Sequence, residues 1–223
     1  MADKFQEARE LLKRLDSQTL DRRAERLAEL EPIVFNGGER RSDLMWNFMK
    51  EASKTYEIGC FRSCIFYCAG AVEYTLRHEL TRLLGSSVKA LKKIEDEDFN
   101  DVIKKAEGYE KLQPFAEDAD YLRRLRNKIA AHPLQLPSTE LRTREEIEIE
   151  RETAIRDIKI FMEFLDSGDG ELKEMEELIE NPEALDSAIG WQLYADKLLR
   201  KLAFKAWRIM RAIINGLYPV RDT

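Results

Sequence analysis

The chain has 223 residues, 43% hydrophobic and 36% charged, and its 37 Lys+Arg against 43 Asp+Glu leave a net charge of −6. That charge density lies above the roughly 25% usual in globular proteins, 10 Gly and 6 Pro are too few for a loop-rich all-β or collagenous chain, and 10 Phe, 7 Tyr and 3 Trp are too many for a disordered one. The acidic balance excludes a protein that coats nucleic acid over its whole surface and leaves room for a local basic patch.

Residues 3–31 carry Phe5, Leu11, Leu12 and Leu15, then Leu20, Leu27 and Leu30, at the period of two charged amphipathic helices. Pro32 and Asn36-Gly37-Gly38 end this arm. Ser42 can cap a helix that sets Leu44, Met45, Phe48, Met49, Ala52 and Tyr56 on one broad face, and Gly59 separates it from the next. From Cys60 to Leu84 the chain is apolar nearly all round until Glu73, the pattern of a buried central helix, and Gly85 stops it. A shorter helical region from Val88 to Ala106 is interrupted at Glu95-Asp96-Glu97-Asp98 and closed by Gly108.

Pro114 to Ala131 is again helical, fenced by Pro133 and Pro137, because a residue before proline is pushed out of the α region. Thr143-Arg144-Glu145-Glu146 has capping-box spacing, and Ile147 to Leu165 continues at helical period. Ser167-Gly168-Asp169-Gly170 is a second break, followed by an acidic helix over 171–180 and a long one from near Pro182 to Asn215-Gly216. No segment alternates with period two over a strand's length. The expected architecture is all-α: an arm over 1–40, a helical bundle over 41–166 and a helical extension over 170–223.

The N-terminal residues lack the basic-then-apolar run of a signal peptide, and the longest apolar stretch, Cys64 to Val72, is half of the ~20 residues a bilayer span needs. A cytoplasmic protein without membrane contact is the expectation. Cys60, Cys64 and Cys68 recur at every fourth residue; Cys60 and Cys68 then lie about 12 Å apart along a helix axis, too far for one zinc ion with ~2.3 Å bonds. With only His78 and His132 to complete a site, no metal and no cofactor are expected, and the thiols read as core residues. No phosphate-binding glycine loop is present.

One segment carries chemistry: Leu125-Arg126-Asn127-Lys128-Ile129-Ala130-Ala131-His132-Pro133. Pro133 forces the chain out of helix at His132, so the imidazole can swing back to the last turn, where the helix C-terminus favours its protonated form. Arg126 is a planar donor suited to phosphate, Asn127 can donate and accept, and Arg123, Arg124 and Lys128 surround them as a basic patch. RNA cleavage through its own 2′-hydroxyl requires a base, an acid and positive charge for the phosphorane. One chain supplies one such His; a twofold dimer supplies two His132 and two Arg126. The alternative is an Arg126 bridge to Asp120 or Glu117, with a His that only ends a helix.

Residues 126–133 resemble the Arg-x(4–6)-His signature of the HEPN superfamily, the higher-eukaryote and prokaryote nucleotide-binding helical domains. Ala52 to Cys64 resembles the family's first helix and turn, Ala69 to Arg77 its second helix, and Phe99 to Ala106 the segment before the signature helix, so the resemblance spans about 41–166. It implies a helical bundle that dimerises, with Arg126 and His132 a catalytic pair, Asn127 an accessory polar residue and the activity a metal-independent endoribonuclease. A toxin or defence setting with an antitoxin or other protein partner follows from the resemblance alone. Inactive members of the family imply the alternative of a non-catalytic RNA- or nucleotide-binding scaffold, and a helical protein–protein adaptor is a third reading.

Glu73, a carboxylate in an apolar stretch, either contacts Arg126 and orients it or stands exposed at the bundle rim. His78 reads as a surface residue. The last helix sets Lys197, Arg200, Lys201, Lys205, Arg208 and Arg211 opposite an apolar side of Trp191, Tyr194, Leu198, Leu202, Ile209 and Ile213. It reads as an amphipathic helix packed on the core, or as an RNA-guiding or partner-binding surface.

Overall fold

The computed structural model describes residues 6, 10, 19–33, 43–85, 92, 94–131, 144–165, 176, 179–180 and 188–219, and among these every regular element is helical. After an arm helix over 19–29 come α1 (Asp43–Glu57), α2 (Phe61–Leu84), α3 (Phe99–Glu107), a 3-10 turn (Gln113–Phe115), α4 (Ala116–Ala131), α5 (Arg144–Met162) and α6 (Ala188–Leu217). None of the described helices is long and apolar enough to cross a membrane.

The central helix is α2, for the reason its composition suggests. It buries Cys64, Ile65, Cys68, Ala69, Ala71, Val72, Leu76 and Leu80 on one half of its circumference, leaves Phe66 and Tyr74 exposed on the other, and is packed by α1, α3, α4 and α6. Burying each large aliphatic side chain there stabilises the fold by roughly 1.5–3 kcal/mol. Small residues let the neighbours close in. At Gly70 the ring of Phe48 from α1 sits where a Cβ would be, 2.9 Å from its ideal position, and stacks on Tyr74 at 5.4 Å between centroids.

The turn from α1 into α2 is a Schellman closure. Gly59 takes φ +85, Cys60 N–H donates to Thr55 O at 2.8 Å, and Gly59 N–H donates to Tyr56 O at 3.0 Å. The acidic run before α3 ends in a cap: Asp98 is extended and its side chain accepts from Asp101 N–H at 2.9 Å. Cys64 and Cys68 are buried with their sulfurs 4.0 Å apart, whereas Cys60 is exposed at the α2 N-cap rather than in the core.

α6 is a layer of the same core. Leu198, Leu202, Ala203, Ala206, Met210, Ile213 and Ile214 are buried against α2, while Lys197 and Arg208 stay exposed. The arm helix is held mostly by polar contacts. Tyr56, itself buried, donates to Glu29 Oε2 at 2.6 Å, and Arg200 of α6 pairs with the other oxygen of the same carboxylate. Arg23 pairs with Glu57, Arg26 donates to Glu57 O at 2.9 Å, and Arg211 donates to Pro32 O at 2.9 Å. The first arm segment lies outside the described residues except for 6 and 10, and the acidic helix over 171–180 except for 176, 179 and 180.

Candidate functional site

α4 presents the residues singled out above. Ala119, Leu122, Leu125 and Ile129 face the core, which turns Arg124 and Asn127 outward and leaves Arg123, Arg126 and Lys128 half-buried at the boundary. The helix is anchored at its middle: Tyr121 donates to Phe164 O at 2.7 Å, and Lys205 Nζ reaches the same carbonyl at 3.1 Å and lies over the Tyr121 ring.

Arg126 is fixed from two sides. Its Nη1 donates to Glu73 Oε2 of α2 at 2.9 Å, and its guanidinium carbon stands 5.4 Å from the centroid of the Phe99 ring. Glu73 therefore contacts Arg126 rather than standing at the rim. Its second oxygen, Oε1, accepts from Arg77 Nη2 at 2.6 Å and Nε at 3.2 Å. Arg77 in turn donates to Ile94 O and, at 2.6 Å, to Glu97 O, tying the segment before α3 to the central helix. One carboxylate thus holds two guanidiniums, and charge-assisted, part-buried bonds of this kind are the strong ones.

The side chains of Arg126 and Glu73 are 26% and 18% exposed, so the pair is reachable from solvent while its geometry is fixed from below. Asn127 is exposed, with its Oδ1 3.5 Å from Arg126 Nε. Arg123 and Arg124 both close on Asp120, at 2.6 and 3.0 Å. The carboxylate that Arg126 uses is therefore Glu73, while Asp120 serves its neighbours. Lys128 has no ion-pair partner among the described residues. His132 lies outside the described residues; α4 is helical up to Ala131, the residue before it.

Arg77 and Phe99 belong to the site and were not singled out from the sequence. The only sequence signal for Arg77 is its place one turn after Glu73, the spacing at which a helical Glu and Arg meet; nothing local marks Phe99, which reaches Arg126 through tertiary packing. Compared with known proteins, the chain matches no family model, no curated protein and no solved structure.

Proposed function

We propose that the chain is a metal-independent endoribonuclease of HEPN type that acts as a twofold dimer in the cytosol, in a toxin or defence setting with an antitoxin as partner. The observation that carries the reading is the clamped Arg126: a guanidinium oriented by Glu73, backed by Phe99 and flanked by Asn127 and Lys128 at the end of α4. An oriented guanidinium loses little on meeting a phosphate, because its side chain is already ordered.

In the reaction, His132 removes the proton from a ribose 2′-hydroxyl and the oxygen attacks the adjacent phosphorus. Arg126 meets the charge on the phosphorane, and the partner's His132 gives a proton to the departing 5′-oxygen, leaving a 2′,3′-cyclic phosphate and a 5′-hydroxyl. Asn127 hydrogen-bonds the phosphate or ribose beside it. Arg123, Arg124 and Lys128 steer the backbone.

A second reading, a non-catalytic RNA- or nucleotide-binding scaffold, draws on the same clamped Arg126, which can hold a phosphate without cleaving it. Incubating labelled RNA with wild type and His132→Ala separates the two. Cleavage lost in the variant supports the nuclease, and RNA binding without cleavage by either protein supports the scaffold.

A further inference from the structure

Six residues along α2 from Glu73, and on a different side of the helix, Glu79 is fully buried. A carboxylate taken out of water must be compensated, and a single well-placed cation can do this. Glu79 collects more. Lys111 Nζ, from the turn between α3 and the 3-10 turn, donates to Oε2 at 2.7 Å. Arg82 Nη2 stands 3.0 Å from the same oxygen, and His78 Nδ1 is 3.6 Å from Oε1. Tyr218, just past α6, brings its hydroxyl to 3.4 Å from His78 Nδ1.

The carboxylate lies beneath the surface and the cations lie at it: the side chains of Lys111, Arg82 and His78 are 39%, 49% and 39% exposed. Among the described residues no second carboxylate pairs with any of the three. One buried negative charge thus sits under two permanent positive charges and a histidine, a cluster of net positive charge that faces solvent. Because Lys111 and Arg82 converge on one oxygen, their nitrogens lie within about 6 Å of each other, a separation one tetrahedral oxyanion can bridge. Most of their donors are not used by Glu79.

We infer that Lys111, Arg82 and His78 form a binding site for a phosphate group, with Glu79 as the buried residue that positions the cations. Burial raises the Glu79 carboxyl, but the nearby His78 ring, the Lys111 ammonium that donates to it and the Tyr218 hydroxyl outweigh it and hold the group down at about 2. It therefore keeps its charge, and its grip on the cations, through the neutral range. The site does not rest on the nuclease reading, since Arg126, Asn127 and His132 take no part in it.

The test uses the full chain at low ionic strength, following the His78 ring resonances while inorganic phosphate, 5′-AMP or a short single-stranded RNA is added, with Lys111→Gln and Arg82→Gln compared with wild type. The expected result is a saturable shift with phosphate and AMP, about 10-fold weaker in each variant, with the helical circular-dichroism spectrum unchanged. A shift with RNA alone, lost in both variants, also supports the site and assigns it to a polynucleotide backbone. No saturable response to any probe, or one that both variants leave unaltered, overturns it. If Lys111→Gln fails to fold, Arg82→Gln decides alone, because Lys111 still compensates Glu79 there.

Discussion

At the scale of single residues, two carboxylates of α2 organise four of the cations described above, and their substitutions have different consequences. Removing Arg126 leaves Glu73 still paired with Arg77, so Arg126→Ala should cost only about 1 kcal/mol of stability in chemical denaturation. Glu73→Ala leaves two guanidiniums facing each other without their common anion and should cost about 2–4 kcal/mol. A larger loss for Arg126→Ala than for Glu73→Ala would show that the carboxylate is not the organising member. Glu79 makes a pH prediction. Its carboxyl is lowered from 4.5 to about 2, so its contribution is present in full above pH 4.5 and is lost as pH falls toward 2. The stability gap between wild type and Glu79→Gln should therefore shrink by roughly 2–3 kcal/mol over that interval; a gap constant with pH would contradict the assignment.

At the scale of elements, the helices follow from signals that act over a few residues, and the contacts between them do not. The Gly59 turn, the Asp98 cap and the near-continuous apolar run of α2 are each legible because a φ of +85, an orphan N–H and a buried helix constrain the residue types locally. The interruption at Glu95 to Asp98 is legible as a break, and the structure shows that its last residue serves as a cap. That Glu73 meets Arg126, 53 positions away, depends on how α2 and α4 are set against each other, which no local pattern contains. The exposed position of Cys60 is of the same kind: its four-residue spacing from Cys64 and Cys68 suits a shared helical stripe, but the helix begins one residue later and leaves Cys60 at its mouth.

Close packing at this scale gives a further test. Gly70 faces Phe48 with no room for a Cβ, so Gly70→Val should push the ring off Tyr74 and lower stability by about 1–3 kcal/mol despite the gain in helix propensity over glycine. An unchanged melting temperature would mean that α1 and α2 are not packed this closely. The arm supplies a contrasting case, because its bonds to the core are polar. Burial, together with the neighbouring Glu29 carboxylate, holds the Tyr56 phenol well above its ordinary range, so it donates to Glu29 at any physiological pH. Tyr56→Phe should loosen the arm, seen as faster amide exchange over 19–29, while costing only about 1 kcal/mol overall.

At the scale of the whole molecule, α2 links the features that matter. One part of it clamps Arg126 on α4, another gathers Lys111, Arg82 and His78, and its apolar side chains carry α1, α3 and α6. The proposed reaction needs two copies of His132 and Arg126, so it requires a dimer near 52 kDa, twice the 26.1 kDa chain; light scattering that gives only the monomer mass under assay conditions would remove the composite site. The most direct measurement is cleavage of labelled single-stranded RNA in the presence of EDTA by wild type, His132→Ala and Arg126→Ala, with the product ends identified. The proposed mechanism predicts 2′,3′-cyclic phosphate ends from wild type and at least about 100-fold slower cleavage by each variant, all three retaining the helical spectrum and dimer mass. Wild-type protein that leaves RNA intact, or cleavage that both variants carry out at the wild-type rate, would contradict it.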